Sequence, residues 1–495
     1  MFNKTKSEKA LKWETKNVLN NVFVYVFNTA IIIALFTLFI YINGNTGGKG
    51  VNAFYSDIKK AVQFLVFVFM VVGLMAVYIF FQDRNFMRNA ANSEMFFLSV
   101  ELSIVACYLV GKYINVYLRP LALSSLLVLF LTDKKNAIFV GAITNILVFL
   151  MDIYSEAVSG LETYVPLIVG LSASIIAVFS MDKVYSRLKM FVYSLITSIP
   201  AVLCALMSLI ESDFINVEAI LPSSVFSGVL SAALLIILLP IFELLFRRVS
   251  CFKLAELNDH KAKLIRRLIK EAPGTFNHSL VVANLAEACA TAIEEDGLLA
   301  RTCAYYHDIG KLRRPEFFSE NQSEGVNPHD ELTPELSATI IKSHAHDGYK
   351  LLLKNRYPKE IADVALEHHG TLPILYFYDK AKKFTDGEVD IGEFSYAGPK
   401  PQSKIAAIIM IADGCEAAVR TLKERTREKV IDVVRKIVND RMELGQFDEC
   451  ELTIKEINIL IGTIVNSLSG VYHKRVKYPK VSLDGIKDLG KEENV

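Results

Sequence analysis

The chain has 495 residues, 52% of them hydrophobic, and a mean hydropathy of +0.34, which excludes a single ordinary soluble domain. Lys and Arg (54) nearly balance Asp and Glu (53) for a net charge of +1, so bulk charge gives no ground for a nucleic-acid polymer as partner. The seven cysteines, Cys107, Cys204, Cys251, Cys289, Cys303, Cys415 and Cys450, include no C-x-x-C pair, which argues against a disulfide framework and a thiolate zinc site.

The apolar excess lies in the first half. Residues 1–21 form a basic segment, without the short basic region and small-residue cleavage site of a signal peptide. Residues 22–245 then predict a transmembrane bundle of about eight helices, near 22–42, 61–81, 94–114, 119–132, 136–153, 164–181, 189–210 and 223–245. Lys and Arg concentrate at every second connection: Lys4, Lys6, Lys9, Lys12 and Lys16; Arg84 and Arg88; Lys134 and Lys135; Lys183, Arg187 and Lys189; Arg247 and Arg248. The loop 43–60, with Lys49, Lys59 and Lys60, is the exception. This alternation predicts a multi-pass protein of the cell membrane, with the lipid bilayer as partner and both termini cytoplasmic. Glu101 and Asp152 are the main ionisable residues within the spans, with Asp152 placed near an interface, fewer than a transporter usually carries. An anchor or a sensor bundle is the expectation.

Residues 246–273 read as an amphipathic linker helix, with Leu257, Leu264 and Leu268 at helical spacing and Pro273-Gly274 as its end. A soluble domain over 274–480 and a polar tail over 481–495 follow. All nine histidines fall in this second half. His278 sits on an amphipathic helix, His307-Asp308 ends another, His344 lies within a third, His368-His369 closes a fourth before Gly370, and Asp413 lies on a fifth. One isolated histidine on an apolar helix is ordinarily a satisfied core residue. Five of them, each needing a partner, are met at once by a shared cluster. Imidazole with carboxylate suits first-row divalent metals such as Fe, Mn or Zn. Five histidines and two aspartates are too many for one ion, whereas two ions bridged by Asp308 use them all. His346, two residues beyond His344, points away on a helix, and His260 and His473 read as surface residues.

The order H…HD…H…HH…D resembles that of the HD superfamily of metal-dependent phosphohydrolases. The stretches "EAPGTFNHS", "YYHDIGK", "ENQSEGVNPHD", "HHGT", "YAGPKPQSK", "IADGCEAAVR" and "GQFDECELTIKEI" are similar to one branch, the membrane receptors whose intracellular HD domain hydrolyses cyclic di-AMP. The resemblance implies an all-α protein with a binuclear site held by His278, His307, Asp308, His344, His368, His369 and Asp413, and two divalent transition-metal ions, Mn or Fe. It implies hydrolysis of cyclic di-AMP to linear pApA by a water bridging the ions, with His307, Asp308 and Lys311 as catalytic residues. "HHGTLPILYFYDKA" lacks the Gly-Tyr-Pro element of the cyclic di-GMP branch, which favours cyclic di-AMP. Lys311, His329, Lys400, Gln402, Ser403 and Lys404 are the candidate nucleotide contacts. A homodimer is left open. The alternatives are a non-catalytic nucleotide receptor and an HD enzyme for another nucleotide, cyclic di-GMP or guanosine tetraphosphate. Members of this branch usually carry a large extracytoplasmic domain between the first two spans, where this chain has only "NGNTGGKGVNAFYSDIKK".

Overall fold

The structure, a computed structural model, describes residues 2–47, 58–82, 90–155, 158, 160–182, 184, 186–211, 214–322, 327–384 and 388–471. Lys49, Arg84, Arg88, Lys183, His473 and the tail 481–495 lie outside the described residues. The chain divides into two compact units, Met1–Ala255 and Glu256–Val495. Both are all-α. Among the described residues the β-structure is one isolated antiparallel bridge, Pro373 with Ser395.

The first unit is a bundle of apolar helices around a core that includes Ile32, Phe36, Phe64, Val68, Phe96, Val100, Leu127, Leu147 and Leu235. Seven helices among the described residues are long and apolar enough to cross a membrane: Leu19–Asn43, Ile58–Phe81, Ala90–Tyr113, Lys134–Ser155, Glu162–Met181, Leu188–Glu211 and Val217–Phe246. The expected span 119–132 is not among them. Its helix, Leu123–Leu131, has nine residues, and at 1.5 Å per residue reaches about 13.5 Å, under half of a ~30 Å hydrocarbon core. All nine are buried. Small residues bring the helices close, as expected where lipid offers no hydrophobic drive to pack. A Cβ added at Gly141 would meet Ser125 Oγ at 1.8 Å, and one at Gly228 would meet the Ser194 carbonyl at 2.0 Å. The Asp152 side chain is fully buried within the protein and takes a bidentate pair from Arg119, at 2.5 and 2.9 Å.

The linker is two helices, Cys251–Leu257 and Lys263–Glu271, rather than one. From Glu256 onward it belongs to the second unit: Tyr306 donates to the Leu257 carbonyl at 2.7 Å, and Asn258 Nδ2 donates to Thr302 Oγ1 at 2.6 Å. Pro273 begins the next helix instead of ending the linker, as proline's missing N–H allows at a first helical position. We label the helices that build the second unit's centre αA (Pro273–Ala292), αB (Gly297–Tyr306), αC (Pro334–Lys354), αD (Lys359–Glu367) and αE (Lys404–Thr421). αE is buried along almost its whole length, from Ile405 to Ala412 without a break. Arg427–Glu443 and Ile454–Val471 pack behind it through Val430, Val434, Leu460 and Leu468.

Candidate metal centre

αB ends at Tyr306, and His307 and Asp308 lead into a 3-10 turn, Ile309–Arg313. Gly310 is needed here for contact rather than for helix termination. A Cβ would lie 1.9 Å from the His344 carbonyl and 2.5 Å from the Gly348 nitrogen. The missing side chain lets this turn touch αC, which brings His344 to Asp308. Gly370, at φ +51°, does stop the αD segment in the left-handed region, just after His368-His369.

Three ring orientations are set by the backbone. His307 Nδ1 meets the Ala304 carbonyl at 2.7 Å, His344 Nδ1 the Ile341 carbonyl at 2.6 Å, and His368 Nδ1 the Ala365 carbonyl at 3.0 Å. A carbonyl only accepts, so each Nδ1 carries a proton, and each Nε2, the atom left for a ligand bond, points inward. His278 is held in the same sense by a carboxylate, with Nδ1 2.5 Å from Glu416.

These nitrogens converge on Asp308. Its Oδ2 lies 3.3 Å from His307 Nε2 and 3.7 Å from His278 Nε2; its Oδ1 lies 3.2 Å from His344 Nε2 and 3.7 Å from His368 Nε2. Two groups result, His278–His307–Asp308 and Asp308–His344–His368–His369, each with ligand atoms within 4.8 Å of one another. Asp413 Oδ1 stands 2.9 Å from His278 Nε2 and 3.8 Å from His307 Nε2, and its Oδ2 4.0 Å from His369 Nδ1. All seven expected ligand residues are brought together.

Electrostatics favour a cation here. Burial alone would depress the His307 imidazole, but Asp308 and Asp413 raise it to about 10, a field that favours any positive charge at Nε2. Burial lowers His368 to about 4 and His369 well below its usual range, so both are neutral donors. Burial opposes charge on the two aspartates, yet Lys311 with His307 holds Asp308, and His278 with His307 holds Asp413, well below the carboxylate range. His307 Nε2 and Asp308 Oδ1 are buried without a hydrogen-bond partner. Leaving either buried polar atom unsatisfied is costly, and a cation held among these groups would satisfy both. The donor set fits a divalent metal.

Lys311 is at the centre, paired with Asp308 and Glu320 at 2.7 Å each. The other candidate nucleotide contacts are engaged elsewhere. His329 is packed between Phe317 and Phe377 and bonds the Phe317 carbonyl at 2.9 Å. Gln402 donates its N–H to Glu367, next to His368, at 3.0 Å, and Lys400 stands 3.4 Å from Asp448. Ser403 caps αE, and Lys404 pairs with Glu456 at 2.7 Å and Glu295 at 3.1 Å. The structure does not bring Ser403 and Lys404 to the histidines, because Lys404 starts αE nine residues, about 13.5 Å of helix, before Asp413. His346 and His260 are exposed, as expected.

Three residues beyond the sequence reading join the centre. Glu416 lies one turn after Asp413 on αE, a spacing that could have flagged it. Glu320 and Tyr396 come from connecting segments; they open the quoted stretches "ENQSEGVNPHD" and "YAGPKPQSK", where no periodicity singles them out. The Tyr396 ring stacks on His369 at 4.3 Å.

Residues 275–418 match the HD domain family model, and residues 58–250 match the model for a 7TM receptor with intracellular HD hydrolase. The chain is 36% identical over 438 residues to the cyclic-di-AMP phosphodiesterase PgpH of Bacillus subtilis, covering 86% of this chain and 61% of that one. It is 36% identical over 435 residues to PgpH of Listeria monocytogenes, covering 85% and 59%. A crystal structure of the L. monocytogenes PgpH HD domain in complex with cyclic di-AMP is 49% identical, covers 43% of this chain and 99% of that one, and aligns with a TM-score of 0.42. The two curated relatives are therefore longer, and this chain spans about 60% of each. One family model thus falls on the bundle and the other on the histidine domain, so the two halves of the chain are similar to 7TM receptors with an intracellular HD hydrolase and to HD domains, respectively.

Proposed function

We propose that the chain is a multi-pass membrane phosphodiesterase that opens cyclic di-AMP to linear pApA and so lowers the level of a second messenger. The observation that carries this reading is the pair of histidine groups sharing Asp308, with His307 Nε2 and Asp308 Oδ1 buried and without a hydrogen-bond partner. The names of the two relatives, each 36% identical over most of this chain, support cyclic di-AMP as substrate.

His278, His307, Asp308 and Asp413 would hold one ion, and Asp308, His344, His368 and His369 a second, Mn or Fe in each case. When bound, such ions supply Lewis acidity at a phosphoryl oxygen and lower the pKa of water toward neutrality. The chain's own residues do the rest. Backbone carbonyls and Glu416 fix the imidazole tautomers. Lys311 and Glu320 hold the Asp308 carboxylate in place, and the Lys311 ammonium adds positive charge where phosphate negative charge must be accommodated.

The HD domain and the N-terminus are assigned to the cytoplasm by the Lys and Arg distribution. That assignment requires an even number of crossings, so the short buried segment Val116–Leu131 must complete one beside the seven long helices.

The test uses the full chain in lipid nanodiscs, loaded with Mn or Fe and assayed for metal content. It is given cyclic di-AMP, cyclic di-GMP and guanosine tetraphosphate beside an Asp308→Ala control. Linear pApA from the parent alone is the expected result. Binding of cyclic di-AMP without turnover, in protein shown to hold metal, would instead establish a receptor. Faster hydrolysis of another nucleotide would reassign the substrate.

A further inference from the structure

Tyr396 stands at the centre without being a ligand. Its placement begins in the backbone. Pro373 and Ser395 pair across an antiparallel bridge, and the Tyr396 N–H donates to the Leu372 carbonyl at 3.0 Å. These contacts tie residues 395–396 to the chain just beyond His369-Gly370. The ring is then fixed by two candidate ligands. It stacks on His369 with centroids 4.3 Å apart and planes 25° from parallel, and meets His344 edge-on at 6.0 Å. Both histidines belong to the group that shares Asp308.

The chemistry of the surroundings gives the phenol a distinct role. Around Asp308 the groups are carboxylates and imidazoles, whose inward nitrogens would be taken up as metal ligands. The one ammonium, Lys311, is held by Asp308 and Glu320. A phosphodiester seated over such a centre presents non-bridging oxygens that gain negative charge as the phosphorus is attacked. A neutral donor aimed at one of them stabilises that charge. The Tyr396 residue is only partly buried, and its hydroxyl has no hydrogen-bond partner among the described residues, so the donor is free to take one.

We propose that Tyr396 is a catalytic residue: its hydroxyl donates a hydrogen bond to a non-bridging oxygen of the scissile phosphodiester, and its stack on His369 holds the donor in register with the metal centre. The inference rests on the phosphodiesterase reading. No proton is transferred; the phenol keeps its hydrogen, and the bonds made and broken at phosphorus are those of hydrolysis. Removing one such donor costs up to about 10²–10³-fold in kcat where it acts alone. Sharing the charge with bound cations leaves roughly 10–100-fold for this one.

The test compares full-length parent, Tyr396→Phe and Tyr396→Leu in nanodiscs at equal measured metal content, on cyclic di-AMP and on its Rp and Sp phosphorothioate forms. Tyr396→Phe keeps the ring and should lose about 10–100-fold in kcat with KM changed less than about threefold. Sulfur accepts hydrogen bonds poorly. For the diastereomer that places sulfur where the hydroxyl points, the loss should therefore shrink to under about threefold, a coupling that a structural defect does not produce. Tyr396→Leu should also lower metal content or raise KM. A Tyr396→Phe variant equal to the parent, or a loss identical on the oxygen substrate and both phosphorothioates, overturns the assignment while leaving the phosphodiesterase reading intact. A parent that holds metal and binds cyclic di-AMP without cleaving it overturns both.

Discussion

His278 is gripped at both ring nitrogens. Nδ1 gives its proton to Glu416 at 2.5 Å, and Nε2 faces Asp413 at 2.9 Å. Glu416 is 2% exposed. It does not reach the convergence of nitrogens at Asp308, so its influence runs through the imidazole, whose tautomer it sets and whose basicity it raises. Outer partners of this kind typically account for 10–100-fold in metal affinity. Glu416→Ala is therefore expected to weaken Mn binding by about that factor, while Glu416→Gln, whose amide oxygen can still accept from Nδ1, should recover most of it. Calorimetric titration of metal-free protein checks this. Equal affinities for parent and Glu416→Ala would mean that the Ala304-type backbone contacts suffice for every histidine and that Glu416 merely fills the space. The contrast with Lys404 is instructive. In the sequence Lys404 looked like a phosphate contact because it follows a Pro/Gly-rich basic stretch, but its ammonium is taken by Glu456 and Glu295, which lie 52 and 109 positions away in the chain.

Among elements, the segment Val116–Leu131 separates hydropathy from geometry. A 3-10 turn, Val116–Leu118, and a nine-residue helix lie on either side of non-helical residues around Pro120. Exposed backbone of this kind is tolerated in a bilayer only where protein covers it, and Tyr117, Leu121 and Ala122 are each at most 5% exposed. If the segment completes a crossing, reporters inserted after Tyr113 and after Asp133 must sit on opposite faces of the membrane. Matched alkaline-phosphatase and fluorescent-protein fusions at the two points are expected to give opposite signals, and equal signals would place the HD domain across the membrane from the N-terminus. The same segment contains Arg119, whose ion pair with Asp152 is buried at both ends. Removing one partner of a buried pair leaves a bare charge and typically costs about 3–5 kcal/mol, whereas replacing both with apolar residues is often neutral. Arg119→Leu alone should thus lower the yield of folded protein sharply, and Arg119→Leu with Asp152→Leu should restore it. A double variant as poor as the single would show that the charges themselves, rather than their balance, hold the segment.

For the whole molecule, the division into a bundle and an HD domain was legible in hydropathy, because burial in lipid demands long apolar runs and burial in a soluble core does not. The cluster of five histidines and two aspartates was legible because each sits on a helix or at its end, where the local pattern of His and Asp stays visible. Tyr396 and Glu320 were not, since their nearness to His369 and Lys311 is created by loops whose course depends on packing between distant helices. Nor was the Arg119–Asp152 pair, for a window that averages hydropathy registers Arg119 only as the edge of a span. What the sequence could not state at all is the energetic debt of the centre: imidazoles and carboxylates from five helices or helix ends converge within one buried site, where burial opposes charge on each of them. A bound cation offsets that cost and is unavailable in the same form to the unfolded chain, so metal should stabilise the HD domain directly. At free metal 100-fold above Kd the gain is about 2.7 kcal/mol, equivalent to roughly 5–10 °C for a domain of this size. The chain's single tryptophan, Trp13, lies outside that domain, which makes scanning calorimetry the suitable readout. Stripping the full chain with a chelator should lower one unfolding transition by that amount, and re-adding Mn should restore it. In Asp308→Ala, which removes the carboxylate common to both histidine groups, the transition should start low and respond little to either treatment. A parent whose metal content falls on chelation while every transition stays in place would show that the inward nitrogens are already accommodated by protons, and that the centre folds without needing its ions.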